Sequence, residues 1–158
     1  MRVGITGHRG LAGEVAEDVR QRIQEAVRAY DPSSLVGVSC IADGPDAWFA
    51  RAVLQHGGEL DVVIPAVLYR DALPEWHHPE YDSLFASAAR VHSTGMYEST
   101  EEAHMAGSEV MVGLVDELLA VWDGQPARGY GGTADVVAYA TDRGVPVRVL
   151  WSEGAVRD

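Results

Sequence analysis

Short apolar runs alternate along the chain with longer amphipathic stretches, the pattern of strands joined by crossover helices in a parallel sheet. Val3–Thr6 reads as a first strand. Val15, Val19, Ile23 and Val27 then recur every four residues among Glu, Asp, Arg and Gln, which predicts a helix over Glu14–Tyr30, stopped by Asp31-Pro32. Leu35–Ser39 is a second strand. Pro45 opens a second helix that Gly57-Gly58 ends, and Asp61–Pro65 is a third strand. Residues 66–80 read as an irregular loop with one helical turn at 69–73, followed by a short helix over Glu80–Ala89 and a strand at Val91–Ser93. Ser99 and Glu102 stand at capping-box spacing before a helix that runs to about Asp116. Leu118–Trp122 is a fifth strand, Ala134–Arg143 a last helix closed by Gly144 and Pro146, and Val147–Leu150 a sixth strand. The expectation is one α/β domain over residues 1–158, Rossmann-like and doubly wound, with about six mainly parallel strands and helices on both faces.

Ligands of such sheets sit beyond the carboxyl ends of the strands, so the residues just after each strand carry the chemistry. After the first strand comes Gly7-His8-Arg9-Gly10-Leu11-Ala12-Gly13. Its glycines admit a ligand close to the backbone, the next helix aims its N-terminus there, and His8 and Arg9 add donors. The spacing is G-x-x-G-x-x-G rather than the dinucleotide G-x-G-x-x-G, and the second strand ends in Ser39-Cys40 rather than a ribose-binding acid, which argues against NAD. Read without a ligand, this loop is only a tight strand-to-helix turn.

The fifth strand leads into Asp123-Gly124-Gln125-Pro126-Ala127-Arg128-Gly129-Tyr130-Gly131-Gly132-Thr133 and then a helix. Gly124, Gly129, Gly131 and Gly132 fall within nine residues, more than a turn needs. Gly131, Gly132 and Thr133 would turn N–H groups and a hydroxyl on an anion, with Arg128 clamping a phosphate from the side. Asp123 is placed to contact a ribose or a metal-bound phosphate. Ser39 could bond a phosphate or ribose, and Asp46 a ribose hydroxyl or, as the better expectation, its own first helical turn. His77-His78 read as a solvated or lid loop and not as a metal pair, Trp76 and Tyr69 as possible cover for a base, and Cys40 as inert.

Composition narrows the chemistry. The 12 basic residues are all arginine, which leaves no Schiff-base lysine, no pyridoxal linkage and no P-loop or kinase lysine. No resident cofactor and no metal are expected. The net charge is −12, from which we expect no direct nucleic acid and no membrane partner. One cysteine among 158 residues excludes an internal disulfide, and with no secretory signal in view the expected location is the cytoplasm.

Three segments resemble the SLOG superfamily, which includes the Lonely Guy cytokinin-activating phosphoribohydrolases and the DNA-processing protein DprA. They are V-G-I-T-G-H-R-G, then S-C-I-A-D-G-P-D-A-W-F-A-R-A-V, and V-D-E-L-L-A-V-W-D-G with G-Y-G-G-T-A-D-V-V-A-Y-A. The resemblance implies a Rossmann-like fold, a nucleoside-monophosphate or related ligand, and a homodimer. The Lonely Guy pattern G-G-x-G-T-x-x-E places a glutamate where this chain has Val136; Asp135 precedes it, about 100° round the helix. The arginine those enzymes carry on the preceding helix is missing as well, since residues 100–116 hold none. The reading is therefore a nucleotide-binding protein, of which a ligand sensor is one form. One alternative is a nucleoside-monophosphate N-glycosidic hydrolase with Asp123 or Asp135 as its catalytic carboxylate. The other is a non-catalytic interaction module of the DNA-processing type.

Overall fold

The computed structural model describes residues 1–157. Its strands are β1 (Arg2–Gly7), β2 (Val36–Ser39), β3 (Glu59–Ile64), β4 (Arg90–Ser93), β5 (Glu117–Val121) and β6 (Val147–Val149). Its helices are α1 (Gly13–Arg28), α2 (Pro45–His56), α3 (Tyr69–Ala72), α4 (His78–Ala86), α5 (Glu101–Leu114) and α6 (Thr133–Asp142), with a 3₁₀ turn at Glu75–His77. All six strands are parallel, in the order β4-β3-β2-β1-β5-β6. The chain winds outward from β1 to β4, then crosses back to lay β5 on the other side of β1. The switch point is thus the β1/β5 seam, where the loops that follow the two strands part to opposite faces and leave a crevice.

Each face has its own core. Val19, Ile23 and Val27 of α1 and Phe49 and Val53 of α2 bury against Val3, Ile5, Leu119 and Val121 of the sheet. Met111 and Val112 of α5 and Val136 and Ala140 of α6 cover Val38, Leu60, Val62 and Leu118 on the other. The four-residue spacing of the α1 valines thus translates directly into its buried stripe.

Two expectations shift. Residues 66–80 are not one irregular loop: α3, the 3₁₀ turn and the start of α4 occupy most of it. The helix expected from Glu80 starts at His78, with Pro79 in its first turn, where no N–H is needed. The cap of α5 is Thr100, whose Oγ1 accepts the Ala103 N–H at 3.1 Å, and not Ser99. Ser99 Oγ instead lies 2.7 Å from His104 Nε2, one turn into the helix. No helix among the described residues is long and apolar enough to cross a membrane.

Candidate functional site

A cleft of about 290 Å³ opens at the carboxyl edge of the sheet, close to the lower end of the ~300–1,000 Å³ usual for small-ligand sites. Its floor at the switch point is Ile5 to Arg9, running off β1. The loop 127–133 and the first turn of α6 close one side, and Glu101, His104, Ser108 and Met111 of α5 face it from above. Cys40, Ala42 and Asp46 enter over β2, and Pro65 and Tyr69 over β3. Arg157 adds a cation from the C-terminal segment.

Of the expected ligand-binding residues, Gly7, His8, Arg9, Arg128, Gly129, Gly131, Gly132 and Thr133 all line this cleft. Gly7 has a packing reason as well. A Cβ there would meet Val121 Cβ at 2.8 Å and Pro45 Cβ at 2.9 Å, so its bareness lets α2 begin against the β1/β5 seam. His8 is buried, its ring edge-on to Trp151. Its Nε2 accepts the Asp123 N–H at 3.0 Å and lies 3.1 Å from Asp123 Oδ1. Burial, and after it the Arg157 guanidinium, hold the imidazole below its ordinary pKa, so the ring is neutral at pH 7. Arg9 is tied to the buried Asp43, Nε at 2.9 Å and Nη2 at 2.6 Å from Oδ1, which binds the β1 loop to the β2 loop.

Four expected residues lie elsewhere. Ser39 is fully buried and does not face the cleft; its hydroxyl donates to the Asp46 carbonyl and accepts the Ile41 N–H, both at 2.9 Å. Gly124 stands outside the lining, in the turn where Asp123 Oδ1 accepts the Gln125 N–H at 3.0 Å. The Asp123 carboxylate is likewise spent on that turn, while its backbone N–H is held by His8. Burial pushes its carboxyl up, but the Gln125 N–H and His8 outweigh this and hold it below its ordinary value. Asp135 reaches back to accept the Gly131 N–H at 2.9 Å, latching the glycine loop to α6 rather than facing the cleft. Val136, at the place of the Lonely Guy glutamate, is buried in the core.

Other residues acquire roles that the sequence did not disclose. Asp46, expected mainly to serve its helix, opens on the cleft, and burial pushes its carboxyl up to about 7 against the Ala42 N–H, the strongest of the influences that lower it. His104, held below its ordinary pKa by burial and then Arg9, packs edge-on to Tyr69. Ile41 is left-handed at φ 48°, a strained conformation for a β-branched residue. Its carbonyl lies 2.9 Å from His77 Nε2, and His78 Nε2 lies 2.8 Å from the Arg70 carbonyl. The two histidines, expected on a solvated loop, therefore hold backbone, with His77 buried. Trp76 is exposed and outside the cleft, whereas Tyr69 lines it. Burial pushes the Cys40 thiol far up, which leaves it protonated and inert. No cluster of three or more metal-ligating side chains occurs among the described residues.

No family model matches the chain, and no curated protein matches it in sequence. Solved structures match in fold. The chain superposes on DNA processing protein A from Helicobacter pylori with a TM-score of 0.73 at 18% identity, covering 100% of this chain and 68% of that one. It superposes on DNA processing protein A from Streptococcus pneumoniae with a TM-score of 0.68 at 22% identity, covering 99% of this chain and 52% of that one. The chain therefore spans about half the length of the pneumococcal protein. The molybdenum cofactor binding protein from Rippkaea orientalis follows at 0.61 and 14% identity, with coverages of 94% and 74%. The Helicobacter structure is described as showing a single-stranded DNA binding mode. This overturns the expectation of no direct nucleic acid. Net charge is a whole-chain sum, whereas binding depends on local potential, and the Helicobacter protein, similar in fold, binds single-stranded DNA. In fold, the chain is similar to DNA processing protein A and to the molybdenum cofactor binding protein.

Proposed function

We propose that this chain is a binding protein for a phosphate-bearing nucleoside derivative, with residues 127–133 as its phosphate loop. One observation carries the reading: two glycine-rich loops and the first turn of α6 converge on one cleft with Arg9, Arg128 and Arg157 at its walls. Backbone N–H groups at a helix N-terminus favour an anion, and with no lysine in the sequence arginine supplies the permanently charged side chains. Binding is favoured over glycosidic cleavage because Asp135 and Asp123 are both engaged within the protein and the glutamate position is a core valine.

A melting experiment with ribose 5-phosphate, nucleoside monophosphates and the matching nucleosides tests this. At 100 times its dissociation constant a ligand adds about 2.7 kcal/mol, which for a domain of this size raises Tm by roughly 5–10 °C. The phosphorylated compounds should give that shift and the nucleosides little. Equal shifts for nucleoside and nucleotide would remove the phosphate from residues 127–133.

A further inference from the structure

The cleft has a second end, which the phosphate loops do not explain. The strand order places the glycine loops over β1 and β5, Asp46 and Cys40 over β2, and Tyr69 over β3, with His104 of α5 facing Tyr69. A ligand whose phosphate sits at the loops must extend across β2 towards β3 to fill the space. What waits there is polar and enclosed. Tyr69 is only 5% exposed, lines the cleft, and its hydroxyl makes no hydrogen bond among the described residues. No buried side-chain oxygen or nitrogen among the described residues lacks a partner, so this unpaired hydroxyl keeps surface of its own in the cleft, where a ligand atom can meet it. Asp46 presents a carboxylate to the same space. The walls around them are Met111, Pro65 and the protonated Cys40, which suit the faces of a planar ring.

Resting on the nucleotide-binding reading above, we propose that Asp46 and Tyr69 form a base-recognition pocket for the 2-amino-4-oxopyrimidine edge shared by guanine and pterin. An ionised carboxylate only accepts hydrogen bonds. The ring edge that satisfies both its oxygens must present two adjacent donors, and a ring N–H beside an exocyclic NH₂ does so in bidentate geometry. Adenine offers a donor beside an acceptor, and the acceptor would face a carboxylate oxygen. Hypoxanthine offers the ring N–H alone. The Tyr69 hydroxyl can donate to the 4-oxo group.

Protonation of Asp46 reverses this preference. A carboxylic acid is itself a donor beside an acceptor and complements adenine. The charged and titratable groups that surround Asp46 are Arg9 from the β1 loop, Cys40 and Asp43 from the β2 loop, Tyr69 from α3 and His104 from α5. Burial, the largest influence on Asp46, sets its titration near neutrality, so the preference should turn over within an accessible pH range.

Calorimetric titration of the full chain with GMP, IMP, AMP and ribose 5-phosphate tests the proposal, because all four carry the same phosphate. At pH 8 GMP should bind at least about tenfold tighter than AMP, the worth of one good bidentate pair, with IMP between them. The GMP/AMP ratio should shrink at pH 6. Asp46→Asn turns the carboxylate into a donor beside an acceptor and should reverse the ratio at pH 8. Tyr69→Phe should weaken GMP without favouring AMP, and it guards against an Asp46 variant that fails to fold. A pterin bearing a methyl phosphate tests the other source of the edge: whichever of it and GMP binds tighter names the natural ring. If ribose 5-phosphate and all three nucleotides bind equally and Asp46→Asn weakens the three nucleotides alike, Asp46 holds the sugar and the pocket is overturned while the phosphate reading stands. If none of the four binds, both readings fall.

Discussion

Asp46 carries a cost that stability measurements should reveal apart from any ligand. Its folded pKa stands near 7, against 3.8 for an unperturbed aspartate, with burial as the main cause. A raised carboxyl pKa means that the fold prefers the protonated form. For this group, then, the wild-type protein is most stable below the unfolded value and loses stability as pH rises from about 4 to about 7. The asparagine variant has no such titration. Asp46→Asn should therefore exceed the wild type by on the order of 2–4 kcal/mol at pH 8, with the gap closing by pH 4. Urea midpoints at the two pH values measure it. A variant no more stable than the wild type at pH 8 would mean that water or the Ala42 N–H already satisfies the carboxylate. A residue kept at such a cost is expected where it meets a ligand.

At the scale of elements, the glycine loop joins packing to binding. Gly131 has φ +83°, and a Cβ there would come 3.1 Å from the Glu101 carbonyl oxygen and 3.3 Å from Met105 Cβ, both on α5. Gly10 has a similar φ of +75° but open space around it. Both positions resist an alanine through the left-handed backbone, at about 1 kcal/mol, while only Gly131 adds a tight contact with α5 backbone, which would have to give by a few tenths of an ångström. Gly131→Ala should thus destabilise by roughly 1–3 kcal/mol more than Gly10→Ala in urea unfolding, and should lose the ligand-induced rise in Tm. Equal losses in the two variants would show that α5 yields to the loop.

That loop also shows what the sequence could disclose and what it could not. Strands and helices followed from apolar period, and the two glycine loops from their density after β1 and β5, because both signals are local. The α5 cap slipped by one residue because Ser99 and Thr100 are chemically equivalent caps, and only the partner chosen by Ser99, the His104 ring, separates them. Ser39 looked like a ligand donor from its place at a strand end. Its hydroxyl is consumed by the Asp46 carbonyl and the Ile41 N–H, a geometry that depends on how the β2–α2 turn folds. Tyr69 and His104 come from segments 35 residues apart in number and meet only through the sheet order, so no spacing rule could have paired them.

For the whole molecule, the question is whether net charge or ion pairs govern stability. The chain carries 24 acidic and 12 basic residues. Several of its ion pairs are largely exposed: Asp18–Arg22, Arg70–Asp82 and Glu59–Arg90 all have both side chains at least 39% accessible. Such pairs contribute about 0–1 kcal/mol each and weaken in salt. The stronger cluster is Asp61, fully buried, with Arg90 Nε at 2.8 Å, His92 Nε2 at 3.2 Å and Arg2 Nη2 at 3.3 Å. Its buried carboxylate is screened far less. Added salt therefore removes little attraction, while it screens the mutual repulsion of a −12 body, whose like charges lie further apart than the Debye length of about 3 Å at 1 M. The urea midpoint should rise between 0.05 and about 1 M sodium chloride with the m-value unchanged, since the surface exposed on unfolding is the same. A falling midpoint would mean that the exposed pairs outweigh the net repulsion. In that case the Asp18, Asp82 and Glu59 alanine variants should each lose their salt response in proportion to the pair removed.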